Sequence, residues 1–295
     1  MAGDGGDVRG RLAISLLTSL ALLAFAANSV ICRAALGGHF IDPAGFTLIR
    51  LSTGAATLQV FRAGWRRAPR TRFDLLQPAM LFLYATTFAF AYLSLGAGTG
   101  ALILFASVQA TMILAAFRSG ERFRFLEGTG LVLALGGLAC LVAPGLTAPS
   151  PVGAVLMASA GVTWGVYSLR GRGSVDAPGD TLRNFILATP LSLLVAGVAF
   201  RSVHLSSPGV ALAAASGAIM SGLGYVAWFA ALRGLPAIRA AIVQLAVPAL
   251  AAAGGVAFLS ERLSLRLVLA AVLILGGVGL AMSRPSREVR EGSGA

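Results

Sequence analysis

The stretch Gly98–Gly137, GTGALILFASVQATMILAAFRSGERFRFLEGTGLVLALGG, decides the fold because its pattern occurs twice in the chain. An apolar run reaches Gly120-Glu121-Arg122-Phe123 and is followed by a second run with Gly136-Gly137. Near the C-terminus, an apolar run reaches Ser260-Glu261-Arg262-Leu263 and is followed by one with Gly276-Gly277. The two glutamates are 140 residues apart, and so are the two glycine pairs. This spacing indicates two copies of one unit.

The composition is that of an integral membrane protein. Hydrophobic residues make up 57% of the chain, charged residues only 12%, and the mean hydropathy is +0.85. Soluble domains carry about a quarter charged residues. The net charge of +12 comes from arginines that lie between apolar runs, so they indicate membrane topology rather than nucleic-acid binding.

The apolar runs predict ten transmembrane helices, since about 20 apolar residues cross hydrocarbon about 30 Å thick. The first run is longer than the apolar region of a signal peptide, and nine more follow it. The predicted spans are approximately 12–31, 44–61, 75–95, 99–117, 125–143, 151–169, 182–200, 208–232, 237–259 and 264–283.

The arginine distribution predicts the orientation. Of the 23 arginines, 18 fall in the two tails and the even-numbered connections, four fall in the odd-numbered connections, and Arg50 lies within a span. Basic connections stay on the cytoplasmic side. Both termini are therefore predicted to be cytoplasmic, and Arg33 and Glu261 are predicted to lie near the outer face.

Five spans per copy is an odd number, so the second copy is predicted to enter the membrane from the opposite side. The result is an inverted repeat. We predict an all-α fold with a first five-helix repeat over 12–143, a second over 151–283, and cytoplasmic tails over 1–11 and 284–295. Glu121 is then cytoplasmic, while Glu261 is outside.

The order of several short elements carries a family resemblance. The first spans of the two halves contain Asn28 and Trp164, and Tyr92-Leu93-Ser94-Leu95 precedes a glycine-rich turn. Pro248 stands before the second Glu-Arg element. Over residues 12–283 the chain resembles the EamA-type branch of the drug/metabolite transporter superfamily. It departs from the common pattern at Ala27, where a tryptophan is usual, and at Thr111, which takes the place that Pro248 has in the second half.

The resemblance implies ten helices around a central substrate path, lined by helices 1 to 4 and 6 to 9 and braced by helices 5 and 10. It also implies a transporter rather than an enzyme. The expected protein is an exporter of small amphipathic metabolites in the bacterial inner membrane, with amino acids, including aromatic ones, as substrates. The expected mechanism is alternating access between two cavity openings.

Two alternatives remain open. The first is efflux of aromatic cationic drugs, which is less favoured because no acid is placed to hold the cation. The second is a non-transporting receptor or an intramembrane enzyme. The expected partners are a small-molecule substrate and the lipid bilayer, with no nucleic acid; the oligomeric state stays open.

Polar and aromatic side chains inside the spans form the predicted substrate site. Side-chain amides both donate and accept hydrogen bonds and so suit both ends of a zwitterion. Aromatic rings recur every fourth residue in span 3 and so share one side of it. In the alternative, the polar groups bridge helices, at about 0.6 kcal/mol each, and the rings contact lipid or pack. The predicted residues are Asn28, Arg50, Tyr84, Phe88, Tyr92, Ser107, Gln109, Trp164, Tyr167, Tyr225, Trp228 and Gln244.

Three charged residues have two interpretations each. Arg50 either binds a substrate carboxylate as a bidentate partner or fixes its helix through loop carbonyls. Glu121 and Glu261 are expected to begin helices 5 and 10, where a carboxylate is favoured by the positive helix end. A salt bridge that gates the path is the other reading of these two glutamates.

The sequence predicts no cofactor and no metal. His39 and His204 are the two histidines, and both lie in connections, so a metal cluster or a catalytic triad has little material. Cys32 and Cys140 fall in or beside apolar runs, and a bridge between them is disfavoured. All eleven acids lie in tails, loops or span ends, so we expect transport without tight proton coupling.

Overall fold

The computed structural model describes residues 4–62, 74–118, 125–143, 148–171, 174, 176–199, 203–233, 235, 243–244 and 246–281. Within these residues the chain forms ten helices and no strand, so the all-α prediction is confirmed. The helices are α1 (Asp4–Gly37), α2 (Pro43–Phe61), α3 (Leu76–Ala91), α4 (Ala97–Arg118), α5 (Phe125–Val142), α6 (Pro151–Gly171), α7 (Ala177–Val198), α8 (Ser207–Leu232), α9 (Ala246–Leu259) and α10 (Leu265–Ala281).

Four of the described helices are long and apolar enough to cross a membrane. They are Leu12–Gly37 within α1, α6, α7 and α8. The remaining apolar segments, in α3, α4, α5, α9 and α10, are 10 to 17 residues long. The multi-pass character is therefore confirmed, whereas the number of ten spans remains a prediction.

Capping side chains fix where three helices begin. Asp42 accepts a hydrogen bond from the Gly45 N–H at 2.8 Å, and α2 begins at the proline between them. Asp176 accepts from Gly179 at 3.1 Å at the start of α7, and Ser206 caps α8 in the same way. Such a cap satisfies one of the free N–H groups of the first turn. The cap at Asp176 moves the start of α7 five residues ahead of the predicted 182.

The first helix is longer than predicted. The sequence predicts a polar tail over 1–11, but α1 begins at Asp4, and residues 1–3 lie outside the described part. Residues 4–11 contain no proline, so the backbone hydrogen bonds of the helix continue from the apolar segment through them.

Helix packing follows a paired pattern. Helix α3 packs against α6, and α1 packs against α8. Likewise α4 packs against α6, and α1 against α9. Helix α2 pairs with α7, while α5 and α10 pack mainly on each other. Most of the buried core lies among the other eight helices, and Leu141 of α5 with Ala270 and Ile274 of α10 also belong to it.

Glycines allow the closest helix approaches. A Cβ at Gly161 of α6 would lie 2.5 Å from the Leu104 carbonyl oxygen and 2.5 Å from the Ser107 Cβ of α4. The two glycines of the pair Gly136-Gly137 lie in different surroundings. Gly137 faces α10 closely, whereas a Cβ at Gly136 would meet nothing within 4 Å.

Candidate functional site

A cluster of aromatic rings fills the space between α1, α3, α6 and α8. Trp164 is at its centre, with its ring centroid 4.9 Å from that of Tyr84 and 4.8 Å from that of Tyr225. Phe25 contacts both Trp164 and Trp228, at 5.8 and 5.7 Å. All five rings are less than 10% exposed, so they face the protein interior and not lipid.

The aromatic row of α3 lies on one buried side of that helix, as its four-residue spacing predicts. The centroids of Tyr84 and Phe88 are 5.4 Å apart, and those of Phe88 and Tyr92 are 4.8 Å apart. Tyr92 is fully buried, and its hydroxyl donates to the Ala97 carbonyl at 3.4 Å, at the start of α4. Tyr84 and Phe88 therefore belong to the aromatic cluster, whereas Tyr92 is part of the connection between α3 and α4.

Arg50 of α2 is buried beside this cluster, with 1% of its surface exposed. Its Nε donates to the Ser221 hydroxyl at 2.9 Å, and its Nη2 lies 3.3 Å from the Tyr84 hydroxyl and 3.2 Å from that of Tyr225. The guanidinium carbon lies 5.2 Å from the Tyr84 ring centroid and 5.1 Å from that of Phe88. Its Nη1 has no hydrogen-bond partner in the part of the chain that the structure describes.

These contacts contradict one of the two predicted interpretations of Arg50, in which loop carbonyls anchor it. The loop carbonyls expected to anchor it are not its partners; side chains of α3 and α8 are. The charge is stabilised by hydroxyl groups and by the faces of two rings. The free Nη1 leaves the other interpretation, a substrate carboxylate, open.

The middle of α8 is π-helical from Ser216 to Leu223. Ser216 donates to the Asn28 Oδ1 of α1 at 2.6 Å, and Ser221 accepts from Arg50 of α2. In a π-helix, side chains five residues apart point in more similar directions than they do in an α-helix. Such segments are frequent at functional sites. The π-helical segment thereby connects α8 to both α1 and α2.

Four of the predicted residues line one small cavity. These are Asn28, Tyr84, Phe88 and Trp164, together with Phe25, Ser29, Leu104 and Phe105. The cavity volume open to the centre of a water molecule is about 10 Å³, which is room for about one water.

The other predicted residues are buried at different places. Ser107 donates to the Ile103 carbonyl of its own helix at 2.9 Å. The Tyr167 hydroxyl accepts from the Asn184 amide of α7 at 3.4 Å. Gln109 and Gln244 are 1% and 3% exposed, and the Gln244 Oε1 has no partner among the described residues. The structure thus brings the twelve predicted residues into the interior, though not into a single shell.

Sequence reasoning missed several residues of the site. Phe25 stands three positions before Asn28 and so shares its face of α1, a signal that was present in the spacing. Ser216 and Ser221 gave no such signal, because five-residue spacing does not share a face of a regular α-helix. Asn184 lies in a span, but its partners Gln77 and Tyr167 come from distant parts of the chain.

A second polar cluster lies at the end of the bundle predicted to be outer. Both carboxylate oxygens of Glu261 accept from the Ala97 N–H, at 3.0 and 2.9 Å, at the start of α4. The Arg33 Nε lies 3.4 Å from the same carboxylate, and its Nη1 donates to the Tyr92 carbonyl at 3.1 Å. We call Arg33, Glu261 and the Ala97 N–H the outer clasp.

The outer clasp corrects the prediction for Glu261. That residue was expected to begin its own helix, but α10 begins at Leu265, and Ser264 caps it by accepting from the Leu267 N–H at 3.1 Å. Glu261 instead occupies the positive end of α4. The left-handed backbone of Ser260, with φ of 54°, turns the chain toward that helix. Its counterpart Glu121 lies outside the described residues.

The opposite end carries a simpler ion pair. The Arg170 Nη1 at the end of α6 lies 2.8 Å from the Asp74 Oδ2 before α3. Their side chains are 49% and 28% exposed. Both cysteines are free thiols, and no metal-binding group of three or more ligands occurs in the described ranges.

We expect Asp74→Asn to change stability by about 1 kcal/mol or less, because exposed ion pairs gain little over hydration. Thermal unfolding of the purified variant in detergent, at low and high salt, measures this. A large loss of stability would mean that the pair is part of a wider network.

Comparisons with known proteins agree with this architecture. Residues 151–283 match the model of the EamA-like transporter family. The chain is 44% identical over 290 residues to the uncharacterized protein PA1977 of Pseudomonas aeruginosa, covering 94% of this chain and 98% of that protein. A crystal structure of a 22% identical protein superposes with a TM-score of 0.67, over 90% of this chain and 97% of that one. At this identity the superposition shows the fold alone.

Proposed function

Because the chain belongs to the EamA-like transporter family, and is thus a membrane transporter of the drug/metabolite superfamily and not an enzyme, we propose that it exports small amphipathic metabolites from the bacterial cytoplasm. The proposed substrates are amino acids, chiefly those with aromatic or large apolar side chains. The proposed location is the inner membrane, with both termini in the cytoplasm.

The observation that carries the substrate class is the buried aromatic cluster around Trp164. A ring or a long apolar side chain that enters this cluster gains contacts with rings, each contributing about 0.5 to 1.5 kcal/mol beyond its buried area. Polar side chains stand directly beside these rings, with Asn28 on α1 and Arg50 on α2. An apolar body and a polar head are therefore both accommodated, which fits an amino acid.

The paired packing of the helices supports two inverted five-helix repeats. If helices 1 to 5 correspond to helices 6 to 10, the contact of α3 with α6 corresponds to that of α8 with α1. The contact of α4 with α6 corresponds to that of α9 with α1, and the α2–α7 and α5–α10 pairs correspond to themselves. This is the pattern expected of two copies related by a two-fold axis in the membrane plane.

Contacts between connections support the proposed topology. The backbone of Ile41, after α1, pairs with that of Leu205, before α8, and both connections are proposed to be outside. The outer clasp joins three elements that are also proposed to end there. Arg170 and Asp74 pair at the end proposed to be cytoplasmic.

The proposed mechanism is alternating access, with the twelve predicted residues as the substrate site. The cavity holds about one water, far less than an amino acid, so a substrate enters only when the helices around it separate. Rocking of the two halves against each other provides that separation. A bound substrate then makes contacts with the residues around the cavity that these residues lack when no substrate is bound.

Proteoliposomes containing the purified protein test the proposal. We expect them to exchange labelled phenylalanine or leucine, with counterflow that persists when the pH gradient is collapsed. Movement of an aromatic cation instead would favour drug efflux. If none of these solutes moves, the exporter function is wrong.

Gln244→Met separates a substrate-binding role from a structural one. The Gln244 Oε1 is buried with no partner in the described ranges, and an unsatisfied atom of this kind costs about 1 to 3 kcal/mol. We expect the variant to be as stable as the wild type or more stable, yet to transport at least fivefold more slowly. Thermal unfolding and initial exchange rates measure the two effects. The control is Gln59→Met, which makes the same change on an exposed position of α2; equal transport by both variants would remove Gln244 from the site.

A further inference from the structure

The buried surroundings of Arg50 contain hydrogen-bond donors that have no acceptor among the described residues. Beside the rings around Trp164, the Arg50 Nη1 and the Trp228 Nε1 are both buried, and neither has a partner in the residues that the structure describes. The two side chains are linked through shared neighbours, because Arg50 bonds Tyr225, and both Tyr225 and Trp228 contact Phe25. Both free groups are N–H donors, and one of them is a cation.

We propose that the substrate of this transporter is recognised by its carboxylate, held at the Arg50 guanidinium, and that the amino group of the substrate is dispensable. The proposal rests on the exporter function proposed above and narrows its substrate class. Carboxylates with an aromatic or branched apolar body, including N-acylated and 2-oxo analogues of amino acids, are then transported at least as well as the amino acids. Amides that keep the amino group but lose the carboxylate are rejected.

The charge balance around Arg50 supports an anion. Its bonded partners are the hydroxyls of Ser221, Tyr84 and Tyr225, and its nearest rings are those of Tyr84 and Phe88. All of these groups are neutral, so a full positive charge is buried without an opposite charge in contact among the described residues. Burying a charge is costly unless it is paired, and an incoming carboxylate supplies the pair.

The geometry leaves part of the guanidinium for this purpose. Nε and Nη2 are used by α3 and α8, which fixes the plane of the group. Nη1 remains, and arginine presents its N–H groups in a rigid fork that matches a carboxylate. Arg50 therefore holds the helices together with two nitrogens and offers the third to a ligand.

An ammonium group meets no carboxylate among the described groups that contact Arg50. The Asn28 Oδ1, which lies on the cavity, already accepts from Ser216 at 2.6 Å. The Arg50 charge repels a nearby cation. The ring faces of the cluster attract a cation only weakly compared with an ion pair. The amino group thus contributes little to binding.

Matched analogues of phenylalanine test the proposal on the wild-type protein. N-acetylphenylalanine and phenylpyruvate keep the carboxylate without an ammonium group, whereas phenylalaninamide keeps the ammonium without the carboxylate. We expect the two carboxylates to be exchanged in proteoliposomes at rates similar to phenylalanine or above, and the amide at least tenfold more slowly. Equal transport of the amide would overturn the proposal.

Variants test the role of Arg50 itself. Arg50→Gln is expected to lower the ratio of carboxylate to amide transport at least tenfold, and Arg50→Lys to keep most of that ratio. Arg183→Gln, which removes the same charge at the start of α7, is expected to leave the ratio unchanged. A purely structural Arg50 would lower all rates equally and keep the ratio, which would refute the proposal.

A binding measurement distinguishes this proposal from the exporter function. A ligand that binds the folded state stabilises it by RT ln(1 + [L]/Kd), so at a fixed concentration the tighter ligand raises the unfolding temperature more. We expect phenylpyruvate, and not phenylalaninamide, to raise it for the wild type and for Arg50→Lys. If nothing is transported but this pattern holds, the anion site stands and the exporter function falls; if neither ligand binds nor moves, both are wrong.

Discussion

Replacing Gly161 with leucine is expected to prevent the protein from folding. The Cβ of any side chain here would lie 2.5 Å from the Leu104 carbonyl oxygen, a backbone atom that cannot rotate away. Helix α6 would have to move off α4, and with it Trp164, the centre of the aromatic cluster. Overpacking of this kind costs about 1 to 3 kcal/mol for a small side chain and more for a large one. Small residues at such crossings allow membrane helices to pack closely.

The yield and unfolding temperature of the detergent-solubilised variant measure this effect. Gly136→Leu is the matched control, since a Cβ at that position meets nothing within 4 Å. Gly161→Ala should lie between the two. If Gly161→Leu folds as well as Gly136→Leu, the close contact of α4 with α6 is not required.

Glu261→Ala is expected to open the outer clasp. The change removes the acceptor for the Ala97 N–H and the partner of Arg33. Hydrogen bonds to a charged group contribute about 1.5 to 3 kcal/mol, which corresponds to about a tenfold or larger change in the fraction of opened molecules. Cys32, which precedes Arg33 and is fully buried, reports this opening.

The measurement is the rate at which a membrane-impermeant maleimide labels Cys32 in intact cells, in a Cys140→Ser background. We expect labelling about tenfold faster in Glu261→Ala than in the parent. Glu261→Gln, which keeps an acceptor oxygen for Ala97, should fall between them. An unchanged rate would mean that the outer clasp does not control access.

Exchanging the two charges tests whether the clasp is only an ion pair. In the double variant Arg33→Glu with Glu261→Arg, an arginine stands where Ala97 needs an acceptor, and arginine has none. The Tyr92 carbonyl also loses its donor. We therefore expect labelling to stay fast in the double variant. Recovery of slow labelling would show that the helix-capping role of Glu261 is unimportant.

Much of the fold could be predicted from the apolar runs. The apolar runs end at Gly, Pro or charged residues, and these ends predicted the bounds of most helices to within a few residues. The reason is that each run must be buried in the protein or face lipid along its whole length. The four-residue spacing predicted that Tyr84, Phe88 and Tyr92 share one side of α3, whereas the burial of that side and of Trp164 came from the structure. The start of α1 at Asp4 did not, since helical backbone needs no lipid to continue.

The details of the site depended on contacts between distant residues. Ser221 meets Arg50 across 171 positions, and no local pattern predicts such a pair. The π turn that aims Ser221 breaks the 3.6-residue periodicity on which face predictions depend. Glu261 was expected to serve the nearest helix start, but the turn at Ser260 directs it to a different one.

The π-helical segment also shows that the two halves are unequal. An offset of 137 residues relates Tyr92 to Phe229, and the same offset relates Tyr84 to Ser221 and Arg50 to Leu187. Helix α3 is α-helical throughout, whereas its counterpart α8 is not. Among the described residues, the buried Arg50 therefore has no charged counterpart at the corresponding position of the second proposed repeat. Under the alternating access proposed above, we expect the inward and outward strokes to have different energy barriers, with one resting orientation favoured over the other.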